Sequence, residues 1–132
     1  MAFGKTFKKA ERLSLKTHID ALFSSGATIS LYPLKFIFLP APASFHYPAQ
    51  VMFTVSTRRF KKAVDRNRIK RKIKEAYRQH KHFLYEELKK QNRQLFVCIM
   101  YTGSDQLPQA ELLNSKLNKG VKMLIQSCRS FG

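Results

Sequence analysis

The chain has 132 residues, enough for one domain with a real core and too few for two. Its 25 Lys and Arg against 8 Asp and Glu give a formal net charge of +17, which calls for a polyanionic neighbour: nucleic acid first, an acidic membrane surface second. A hydrophobic fraction of 44% with eleven Phe argues against a disordered basic tail, and no apolar run reaches the roughly 18 to 20 residues of a membrane span, so a cytoplasmic protein with no membrane partner is expected.

In chain order, MAFGKTFKKAER (1 to 12) lacks the apolar stretch of a signal peptide. Lys5, Lys8, Lys9 and Arg12 make it a predicted mobile or extended basic arm on a single domain spanning 1 to 132. Between 13 and 25, Ile19, Leu22 and Phe23 fall at i, i+3 and i+4 on one face of a short helix that Ser24, Ser25 and Gly26 end. LKFIFL (34 to 39) and QVMFTVS (50 to 56) read as strands, and the Pro-rich PAPASFHYPAQ between them as the turn of an antiparallel pair. Asp65 is the predicted cap of a helix from Arg66 to at least Arg78, with 82 to 92 either continuing it after a break or forming another. LFVCIMY (95 to 101) is apolar throughout, as in a strand buried on both faces. After the turn TGSDQLPQ, Leu113, Leu117, Val121, Leu124 and Ile125 keep a 3.6-residue period in a final helix from Ala110 to about Cys128. Cys98 and Cys128 are too few and too far apart for a disulfide framework or a zinc site and are read as free thiols. The order helix, strand, strand, helix, strand, helix predicts an α+β sandwich with a small sheet.

Residues 58 to 82 hold twelve of the 25 Lys and Arg and two acids, Asp65 and Glu75, so the partner is met there. On a helix, Ile69, Ile73, Ala76 and Tyr77 share an apolar sector, while Asn67, Arg71, Lys74 and Arg78 lie opposite. An ordinary solvated helix face mixes signs and pairs them at i, i+4; here only Glu75 interrupts the positive charge. Arg forks hold phosphate bidentately, Lys acts as a point charge, and Asn67 can donate and accept toward a base edge or 2′-hydroxyl. His80 and His82 flank Lys81, where they could touch RNA, but the reading favoured is that of ordinary exposed histidines. No phosphate loop, nucleophile–base pair or carboxylate pair is present, so the chain has little with which to build a two-metal nuclease site of its own.

RNRIKRKIKEAYR (66 to 78), preceded by VSTRRFKKAVD (55 to 65), resembles the RNR signature of bacterial ribonuclease P proteins. ERLSLKTHIDALFSSG (11 to 26) and QLFVCIMYTG (94 to 103) with its terminal helix extend the resemblance over most of the chain. It implies an α-β sandwich with a mostly antiparallel sheet, a left-handed β-α-β crossover and a fourth short strand not located from this sequence. It also implies that Arg66, Asn67, Arg68, Lys70, Arg71 and Lys74, with the flanking Arg58, Arg59, Lys61, Lys62 and Arg78, bind the catalytic RNA. A separate cleft, lined by the first helix and one sheet face, would grip the 5′ leader of precursor tRNA. Phe23 matches an aromatic position of that cleft; Ile19 stands where the family commonly has Phe. With Phe36, Phe38, Phe53 and Val55 toward the core, strand alternation places Lys35, Ile37, Met52, Thr54 and Ser56 on the cleft face. The function so implied is a protein subunit of an endoribonuclease whose Mg²⁺ is held by ribonuclease P RNA, with precursor tRNA as substrate and no obligate protein partner. A ribosomal RNA-binding protein, a DNA-binding module and a stand-alone metal nuclease are the rival readings.

Overall fold

The computed structural model describes residues 7–41, 47–103 and 107–129. Helix α1 (Lys16–Ser25) leads into strands β1 (Ala27–Leu31), β2 (Leu34–Pro40) and β3 (Ala49–Val55). Helix α2 (Ala63–Lys90), strand β4 (Leu95–Tyr101) and helix α3 (Ala110–Arg129) complete the chain, and a short 3-10 turn at Lys9–Glu11 precedes α1. This is the expected α+β sandwich. The strand not located from sequence is β1, ATISL, where only Ile29 is buried, so there is no alternation to read.

The sheet order is β1-β2-β4-β3, with β4 antiparallel to β2 and parallel to β3. The expected β2–β3 hairpin is therefore corrected: β4 lies between them, and β2 instead pairs with β1 across Leu31↔Leu34. The physical reason lies in β4 itself, which buries Leu95, Phe96, Val97, Cys98 and Ile99 and so needs apolar neighbours on both faces and a strand on both edges. Parallel β3 and β4 are joined by α2 as the crossover, the β-α-β unit the resemblance implies.

α2 and α3 cover one sheet face, where Phe36, Phe38, Val51, Val55, Val97 and Ile99 meet Ile69, Ile73, Tyr77, Leu117 and Val121, with Phe53 partly buried against them. This matches the inward facing expected for Phe36, Phe38, Phe53 and Val55. Gly120 of α3 rests on the Phe36 ring; a Cβ there would overlap the ring carbons. On the opposite face α1 packs Leu22 over Ile37, Phe96 and Cys98, with Leu13 in the same cluster. His18 stacks on Phe96 with centroids 4.5 Å apart.

The long helix also departs from expectation. Lys62, and not Asp65, occupies the N-cap; Asp65 sits in the first turn, where its charge suits the helix dipole. No break separates 66–78 from 82–92, because the segment contains neither Gly nor Pro and Leu84, Tyr85 and Leu88 continue the buried stripe. It ends in a Schellman arrangement: Arg93 N–H donates to Leu88 O at 2.9 Å and Asn92 N–H to Lys89 O at 3.1 Å, with Asn92 at φ 55°.

The expected mobile arm is corrected in part. Residues 1–6 lie outside the described residues, but from Phe7 onward the segment is packed along the free edge of β3, where Leu13 N–H donates to Val51 O at 3.0 Å.

Candidate nucleic-acid interface

The loop between β3 and α2 displays charge because one residue of it is buried. Phe60 packs against Tyr101 with centroids 5.9 Å apart, which leaves Arg58, Lys61 and Lys62 in solvent. Ser56 Oγ accepts the Arg58 N–H at 3.2 Å, and Arg59 reaches Gly103 O at 3.5 Å. Arg66, the first residue of the RNR run, turns back: its Nη1 donates to Phe60 O at 2.7 Å and Lys61 O at 2.9 Å. It ties the loop to the helix.

Two grooves flank α2. One, about 570 Å³, lies between α2 and the β3 edge, with Asn67, Lys70, Arg71 and Lys74 along one wall and Phe7, Arg12, Met52 and Phe53 along the other. The second, about 440 Å³, lies between α2 and the start of α3 and takes Arg68, Arg71 and Lys72. Arg71 stands on the ridge between them. Among the described residues, Arg58, Lys61, Lys62, Arg68, Lys70, Arg71, Lys72 and Lys74 have no carboxylate partner. Glu75 is engaged by Arg78, whose hydrogen bond holds its carboxyl below the usual range, and Gln79 adds a second, weaker donor. Of the two acids in the run, Glu75 is thereby paired on the surface of its own helix with Arg78.

On the other sheet face, the register aligns Thr54, Met100 and Lys35 in one row and Met52, Cys98 and Ile37 in the next. Lys35, Met52 and Thr54 are half-buried, and Thr54 Oγ1 lies 3.7 Å from Cys98 Sγ. Ile37 is buried beneath α1, whereas Ile19, like Met52 and Met100, is partly buried against the same cluster. Phe23 projects from α1 with 47% of its surface exposed. Ser56 follows β3 and serves the turn. Met100, in the row of Lys35 and Thr54, could not be placed on this face from sequence, because a strand apolar on both faces carries no alternation to say which residues point where.

The largest omission is the anchor of residues 7–12. Lys81, one of the twelve cations counted in the 58 to 82 run, is buried, and its Nζ meets Glu11 Oε1 at 2.6 Å. Glu11, also buried, takes the Tyr85 hydroxyl at 2.8 Å and the Lys8 N–H at 2.6 Å, and Tyr77 donates to Tyr85 at 3.1 Å. Burial raises both tyrosine hydroxyls above their ordinary range. The i, i+4, i+8 spacing of Tyr77, Lys81 and Tyr85 was legible; their acidic partner, about seventy residues away in sequence, was not.

Among the described residues no three His, Cys, Asp or Glu side chains converge to hold a metal ion. No helix among them is long and apolar enough to cross a membrane.

A crossover helix bearing unpaired cations, joined to a small mixed sheet with a lone helix on its far face, defines a basic α+β sandwich protein. The model of the family described as Ribonuclease P matches residues 7–124. The ribonuclease P protein component of Porphyromonas gingivalis is 33% identical over 114 residues, covering 86% of this chain and 82% of that protein; that of Chlorobaculum tepidum is 31% identical over 120 residues, covering 85% and 78%. The chain belongs to the ribonuclease P protein family. The structure of the Staphylococcus aureus RNase P protein superposes with a TM-score of 0.68 at 16% identity, covering 88% of this chain and 96% of that one. The RNase P protein from Thermotoga maritima gives 0.66 at 18%, covering 85% and 96%; both likenesses concern the fold.

Proposed function

We propose that the chain is the protein subunit of a ribonuclease P ribonucleoprotein. It binds the catalytic RNA through α2 and the loop before it, and the 5′ leader of precursor tRNA through the sheet face beside α1. The observation that carries the reading is the set of cations on α2 and its preceding loop without carboxylate partners, since such a ridge is stable at neutral pH chiefly beside a polyanion. Family membership supports ribonuclease P RNA as that polyanion, and precursor tRNA as the substrate belongs to the same reading. Hydrolysis of the leader phosphodiester leaves a 5′-phosphate on the tRNA; Mg²⁺ held by the RNA supplies that chemistry, and the protein supplies binding energy and orientation.

The test is gentle isolation of the protein, sequencing of the RNA that accompanies it, and assay of the complex on a leader-bearing tRNA. One abundant RNA and cleavage at the mature 5′ end are expected. Ribosomal RNA in its place, preferential competition by duplex DNA, or cleavage by RNA-free protein would each overturn the reading in favour of a rival.

A further inference from the structure

The Glu11–Lys81 pair lies outside every surface an RNA can touch, yet it fixes the residues that form one wall of the larger groove. Both side chains are essentially inaccessible to solvent, at 0% and 1% exposure, so neither can contact a phosphate. A buried ion pair of this kind is weak evidence for stability in its own right, because desolvation of both charges offsets their attraction. Its geometric consequence is more specific. Glu11 accepts hydrogen bonds from Lys81 and Tyr85 of α2 and from the Lys8 backbone. Arg12, the next residue, bridges to Val51, and Leu13 bonds to the same strand. Arg12 is thus held between two fixed points, on the groove wall opposite Lys70, Arg71 and Lys74. Phe7 is held alongside, edge-on to Phe53 at 5.6 Å and to Tyr77 at 6.0 Å, with Lys74 Nζ 5.4 Å from its ring centroid.

We propose that Glu11 and Lys81 are positioning residues for RNA binding: the buried pair sets the register of residues 7–12 on the β3 edge so that Arg12 joins the α2 cations in a single phosphate-binding groove. The C-terminal half of α2 thereby organises the surface presented by its N-terminal half. The inference rests on the RNA-binding reading above.

The test measures affinity of the full chain for ribonuclease P RNA transcribed from the same genome, as a function of salt, in a cycle of Arg12→Ala and Lys81→Met. Arg12→Ala should weaken binding roughly tenfold, as for loss of a charged hydrogen bond, and lower the magnitude of the log-log salt slope by about one. Lys81→Met should reproduce the slope change although Lys81 itself is inaccessible, and Arg12→Ala added to it should do little more. Fully additive effects, or a wild-type slope in a folded Lys81→Met protein, would overturn the proposal. If Lys81→Met does not fold, Tyr85→Phe takes its place, since it removes one of the donors to Glu11 while keeping the ring; coupling to Arg12→Ala supports the proposal and its absence overturns it. Wild-type protein that binds this RNA without salt dependence would instead remove the RNA-binding reading on which the proposal stands.

Discussion

At the scale of single residues, neighbours in the signature have different work. Arg66 donates to two loop carbonyls, whereas Arg68 has no partner among the described residues. Arg68→Ala is expected to lower the magnitude of the salt slope of RNA binding by about one with little change in stability, and Arg66→Ala to lower the melting temperature by freeing the loop. Salt titration and thermal melting of the two variants check this. Phe23 is half exposed, so Phe23→Ala should cost about 1 kcal/mol of stability or less, well short of the 3 to 5 of a core Phe. If it stacks a leader base, worth about 1 to 3 kcal/mol, the assembled enzyme should bind precursor tRNA roughly 5- to 150-fold more weakly and mature tRNA unchanged. Parallel binding assays with the two tRNAs decide it. Burial pushes the Cys128 thiol from its ordinary 9.0 up to about 11 and raises the Tyr77 and Tyr85 hydroxyls above their usual 10.0. The unfolded chain therefore releases these protons first. Their contribution to stability is complete below pH 9 and declines as pH rises toward 11, which denaturant melts across that range will read.

At the scale of elements, α3 shows where helix propensity and packing oppose each other. Gly in a helix interior costs about 1 kcal/mol relative to Ala, so Gly120→Ala would stabilise an isolated α3. In the fold, the added Cβ meets the fully buried Phe36 ring, and overpacking of this kind costs about 1 to 3 kcal/mol or more. The packing effect is expected to win, with a melting temperature several degrees lower; an equal or higher value would mean that β2 yields to the helix. α2 illustrates the converse, since its unbroken length follows from local composition and its end from Asn92, which tolerates the left-handed conformation the Schellman turn requires.

At the scale of the whole molecule, the sheet separates α1 and the face it packs on from α2 and α3, and the larger groove lies at the β3 edge, lined by both Met52 and Arg12. Phe23 and Arg68 lie on opposite sides of the sheet and share no partner, so the free-energy effects of Phe23→Ala and Arg68→Ala on precursor binding by the assembled complex should add within about 0.5 kcal/mol. A larger coupling, measured in the double variant, would mean that the two surfaces act as one. Apart from β1, the elements were legible from the chain: the inward set Phe36, Phe38 and Val55, the apolar sector of α2, the buried β4 and the period of α3 all follow from local periodicity, because each element must hide one face or stripe. The signature at 66–78 and the charge around it likewise needed no coordinates. Tertiary structure alone decided that β4 inserts between β2 and β3, that Ile37 is covered by α1 while Met100 shares a row with Lys35 and Thr54, and that Lys81 turns inward to bind Glu11. Each of these turns on a partner distant in sequence, and local periodicity fixes which side of an element is buried without fixing what it is buried against.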